Sequence, residues 1–76
     1  MTVALFLTDR CSRAGFTTVA AFHRALLRGG LHVSYSSVHS WLRGITTPTS
    51  EHIKLIARIL DLPADERLQL HELRAA

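Results

Sequence analysis

Six residues, Gly15, Gly29, Gly30, Gly44, Pro48 and Pro63, constrain this chain more than any other feature. Glycine and proline are the strongest local punctuators of a polypeptide. Here they leave five segments, each long enough for a helix of about two to four turns. No segment combines period-two alternation with a hairpin turn, so nothing reads as a sheet. The expectation is an all-α fold of five helices in a single domain spanning residues 1–76.

Each segment carries its own helical signature. Between about Val3 and Ala14, Val3, Leu7, Cys11 and Ala14 share one face at helical spacing. The run Val3–Leu7 also suits a strand, but no second strand exists to pair with it. Thr17 is a good N-cap for a second helix over about 17–29. In it, Val19, Phe22, His23 and Leu26 form an i, i+3, i+4, i+7 stripe that ends at Gly29-Gly30. Ser34 caps a third helix, about 34–43, with Val38, Trp41 and Leu42 as its apolar face and Gly44 as its stop. These apolar residues are expected to face the fourth helix. That helix, about 49–61, repeats Ile53, Ile56, Ala57 and Leu60 behind Glu51, an anion favoured in a first turn. The fifth, about 63–74, opens on Pro63 with Asp65 and Glu66 and holds Leu68, Leu70 and Leu73.

The 47% apolar content is ample for one core in 76 residues and is unlike that of a disordered chain. No apolar run approaches the roughly 20 residues that span a bilayer. Val3–Leu7 lacks the flanks of a signal peptide. A single cysteine, Cys11, excludes an internal disulfide framework and supplies few soft ligands. It reads as a small core residue in a reducing cytoplasm. The net charge is +3, which favours anionic partners. Its distribution is uneven: residues 1–44 carry Arg10, Arg13, Arg24, Arg28 and Arg43 against Asp9 alone. Residues 45–76 carry four basic residues against five acidic ones.

The stretch Val33-Ser34-Tyr35-Ser36-Ser37-Val38-His39-Ser40-Trp41-Leu42-Arg43-Gly44 resembles the recognition-helix segment of the lambda-repressor-like helix-turn-helix family, of Xre or Cro type. Pro48-Thr49, Glu51, Ile53, Ile56-Ala57 and Leu60-Asp61-Leu62 resemble that family's following helix, with Asp61 where glycine is frequent. Together the pieces cover roughly residues 16–62, and their order and spacing make the likeness specific. One spacing departs: Thr17 to Ser34 is 17 residues, longer than the family pattern. The second helix, its turn, or both are therefore lengthened.

The resemblance implies a sequence-specific regulator that binds double-stranded DNA, with the third helix in the major groove. Tyr35 and Ser36 match the leading base-contact positions. Ser40 lies one turn on, with Ser37 and His39 on the same outward face. Arg43, Thr46 and Thr47 match backbone-contact positions, Thr17 and Thr18 join them at the start of the second helix, where anions bind favourably, and Arg13 adds to them from the first segment. Tyr35 either reads a base or packs against the turn. A homodimer on a pseudo-palindromic operator follows, with Leu68, Leu70 and Leu73 as its candidate contact; these leucines equally suit the monomer core. The other readings are a protein-interaction module, such as an antitoxin-like or adaptor domain, and a weakly specific nucleoid binder. His23, His32, His39, His52 and His71 show no metal-ligand spacing, and neither a cofactor nor an enzymatic motif is expected.

Overall fold

The computed structural model describes every residue, Met1–Ala76, as five helices without a strand. They are α1 (Val3–Arg13), α2 (Val19–Arg28), α3 (Tyr35–Arg43), α4 (Ser50–Ile59) and α5 (Ala64–Ala75). No helix is long and apolar enough to cross a membrane.

The first four helices start alike. Thr2, Thr18, Ser34 and Thr49 each accept a hydrogen bond through the side-chain hydroxyl, from the backbone N–H of Leu5, Ala21, Ser37 and His52 respectively. Each cap satisfies one of the orphan donors of a helix N-terminus. Thr18, not Thr17, caps α2. The N–H of Phe16 donates to the carbonyl of Cys11, and the Phe16 ring lies 6.0 Å from that of Phe22. Thr17 therefore bridges from this anchored ring to the cap.

Four helices also stop alike. After α1, α2, α3 and α4, a residue at positive φ reverses the chain: Gly15, Gly30, Gly44 and Asp61. In each case two backbone hydrogen bonds close the end. For α4 they run from Asp61 N to Arg58 O and from Leu62 N to Ala57 O, at 3.1 and 2.9 Å. This is the Schellman arrangement, which suits glycine because the left-handed region crowds a Cβ. Asp61 occupies it at φ 52°, so α4 ends at Ile59 rather than at Asp61.

The core joins Phe6, Leu7 and Cys11 of α1, Phe22 and Leu26 of α2, Val38 and Trp41 of α3, Ile53 and Ile56 of α4 and Leu70 of α5. On α1, Phe6 is buried where Ala14 was expected, and Ala14 is exposed beyond the helix end. The α3 helix packs chiefly on α1 and α2. Its apolar side does not face mainly α4; that link is the Trp41 ring, 5.3 Å from His52. Leu70 is completely buried and Leu73 packs against the core. Both therefore complete the monomer, and of the three candidate dimer leucines only Leu68 is exposed, at 60%.

One charged contact ties α1 to α5. The Arg10 guanidinium hydrogen-bonds Glu66 and Asp9 and sits 4.3 Å above the Phe6 ring centroid. Partial burial disfavours the charge, but the bonds to Glu66 and Asp9 outweigh it and hold the Arg10 pKa above its ordinary value.

Candidate nucleic-acid interface

The α2 and α3 helices pack together and are joined by Gly29–Ser34, six residues. A helix-turn-helix connection has about three or four. Since α2 is ten residues long, no more than α4, much of the extra spacing sits in this turn. Leu31, nearly fully buried, anchors it. A second anchor is the hydrogen bond between His23 Nε2 and the carbonyl of Val33, 2.7 Å. The carbonyl can only accept, so Nε2 carries the proton. His23 is thus the satisfied, half-buried histidine that its place on the α2 stripe suggested.

The turn delivers α3 with one face free. Tyr35 and Ser36 are exposed, and Ser37, His39 and Ser40 are half-buried. The Tyr35 ring stacks on His39 (6.3 Å, 17°) and meets His23 edge-on (6.0 Å, 86°). It remains 49% exposed. Tyr35 therefore packs and projects at once: its ring is held between two imidazoles while half its surface faces solvent. Ser37 is drawn back by a 3.0 Å hydrogen bond from the Ser34 hydroxyl, which makes it more a part of the cap than of the outward face. The Ser40 carbonyl accepts from Ile45 N and Thr46 N and so fixes the loop after α3.

The residues expected to meet phosphates fall in two groups. Thr17 and Thr18 are exposed at the start of α2, on the rim of an apolar groove that includes Phe16, Phe22 and Leu42. Arg13 lies close in sequence but pairs with Asp9 at 3.2 Å. Arg43, Thr46 and Thr47 are brought together at the other end of α3, along a cleft of about 600 Å³ beside the start of α1. Arg43 is exposed and belongs to none of the ion pairs. The first turns of α2 and α3 hold no acidic residue, whereas α4 has Glu51 there and α5 has Asp65 and Glu66. Both helix starts near the outward face are therefore open to an anion.

Two supporting residues escape sequence reasoning. His23 steadies Tyr35 from twelve positions away, and Arg74 donates from Nε to the Pro48 carbonyl at 3.0 Å, pinning α5 to the loop after α3. Neither contact leaves a local signal. Buried Cys11 has its thiol pushed up to about 12 by desolvation, so it is not a nucleophile at neutral pH. No group of three or more His, Cys, Asp or Glu residues is placed to hold a metal ion.

Two packed helices, a glycine-containing turn and a polar outward face on the second helix define a helix-turn-helix domain. The helix-turn-helix family profile matches residues 28–67, just over half the chain. The protein belongs to this DNA-binding family, in its lambda-repressor-like, Xre-type branch. Comparison with curated proteins and with solved structures gives no match.

Proposed function

We propose that the domain is a sequence-specific transcriptional regulator of the bacterial or phage Cro/repressor type, with α3 lying in the major groove of its operator. The observation that carries this reading is the half-exposed Tyr35–His39 stack on α3, flanked on either side by acid-free, threonine- or arginine-bearing segments. Tyr35, Ser36, His39 and Ser40 meet base edges, with Ser37 a marginal member. Thr17, Thr18, Arg43, Thr46 and Thr47 hold the phosphates, and Arg13 joins them once it leaves Asp9. Phosphate contacts position such a domain and base contacts specify. Three serines on the reading face discriminate weakly, so backbone contacts supply much of the affinity.

A homodimer on a pseudo-palindromic operator fits this family, with two α3 helices about 34 Å apart in successive major grooves. With Leu70 and Leu73 in the core, its α5 contact rests on Leu68. The decisive experiment is an unbiased selection of bound duplexes, repeated at several salt concentrations. A regulator returns one motif, with two half-sites about one helical turn apart if it dimerises. Recovery of random DNA at every salt concentration would sink the reading and leave the weakly specific binder. No DNA binding at all would leave the protein-interaction module.

A further inference from the structure

Residues 45–76 carry more acid than base, yet their basic residues are not scattered. Lys54 and Arg58 of α4 and Arg67 and His71 of α5 line one cleft of about 610 Å³ between the two helices. Within each pair the residues are four apart and so lie on one face of their helix. Ala57 and Leu62 give the cleft an apolar floor, and no residue of α1, α2 or α3 lines it. Of the five acidic residues in this half, only Asp61 reaches the cleft.

Three of these four basic side chains lack an ion-pair partner. Lys54 meets Glu51 at 3.3 Å, while the remaining ion pairs join Arg10 to Asp9 and Glu66, and Arg13 to Asp9. Arg58, Arg67 and His71 belong to none of them, and Asp61 neutralises neither arginine. Basic side chains on both walls of a concavity repel one another until an anion enters. Guanidinium groups are suited to phosphate and carboxylate oxygens, which they bind in bidentate fashion. We propose that the α4–α5 cleft binds a small polyanion carrying two or more phosphate or carboxylate groups, held by Arg58, Arg67 and His71 with Lys54 at the rim. The cavity volume is that of a small-molecule site.

The test is a titration of the ¹⁵N-labelled full chain with inorganic tripolyphosphate and, separately, with citrate, at fixed ionic strength. Saturable amide shifts confined to residues 54–71 are expected for at least one probe, and the stronger of the two identifies phosphate or carboxylate as the preferred group. The Arg58→Gln/Arg67→Gln variant weakens that binding about tenfold or more. Asp61→Asn, which removes the one opposing charge, tightens it about two- to fivefold. Arg24→Gln/Arg28→Gln removes the same charge from α2 and leaves the affinity unchanged. The proposal is overturned if neither probe saturates, if the shifts centre on Tyr35–Arg43, or if the α2 variant loses as much affinity as the cleft variant.

Discussion

Replacing Asp61 with glycine should stabilise this domain. Asp61 stands where Gly15, Gly30 and Gly44 stand in the other helices, and its φ of 52° places an L-residue in the left-handed region. That conformation costs a residue with a Cβ about 1–2 kcal/mol. Glycine removes this cost but gains freedom in the unfolded chain, which takes back about 0.4–1 kcal/mol. The net gain is about 0.5–1 kcal/mol, or roughly 2–8 °C in Tm for a domain of this size. Thermal and urea unfolding of Asp61→Gly beside Asp61→Asn measures it. Asparagine keeps the short polar side chain and loses only the charge, so it separates conformation from electrostatics. An unchanged or lower Tm for the glycine variant would refute the argument. An equal gain for asparagine would show that charge, not backbone geometry, sets the stability at this turn.

Other consequences are as direct. Arg43→Ala should lower DNA affinity for all sequences alike and shallow the log–log salt slope by about one unit, whereas Tyr35→Ala should change which sequence is selected; the same selected motif after Tyr35→Ala would remove Tyr35 from the reading face. Cys11 ties stability to alkaline pH: the unfolded thiol ionises from about 9 while the folded one waits until about 12. The unfolded state therefore binds fewer protons in that window, and stability falls by about 1 kcal/mol per pH unit. Urea unfolding from pH 8 to 11 should show this contribution in the native chain and lack it in Cys11→Ala. Glu66→Ala leaves the half-buried Arg10 with Asp9 as its one remaining ion-pair partner and should cost about 1 kcal/mol, and Arg10→Met together with Glu66→Leu should recover most of it. Equal urea midpoints for Glu66→Ala and the parent would discount the link between α1 and α5.

What the sequence disclosed depended on whether the signal was local. Ser34 and Thr49 are caps whose side chains bond three residues ahead, and Gly30 and Gly44 are stops closed within their own turns. Such features are legible because their partners are neighbours. The α2 cap falls at Thr18 and not at the expected Thr17, because the two have identical chemistry and the choice between them rests on where Phe16 is anchored. In Val3–Leu7 all five residues are apolar, so the run carries no period to point out Phe6. The same holds for the leucines of α5, where burial separates Leu70 from Leu68 although the pattern does not. At the interface, the outward face of α3 could be read from the inward positions of Val38 and Trp41. The support of Tyr35 by His23 could not, because it spans a turn longer than the family's usual one.

The α3 helix is closed at both ends by its own flanking residues, Ser34 before it and Gly44 after it. Its folding instructions therefore lie in the caps and in Val38 and Trp41, while Tyr35, Ser36, His39 and Ser40 carry little of the fold. Nine residues thus behave as an exchangeable cassette: if these four positions read the DNA as proposed, a new binding preference can evolve there without renegotiating the scaffold. A library randomised at those four positions and sorted by protease resistance measures this freedom directly, since a cassette of this kind leaves most members folded.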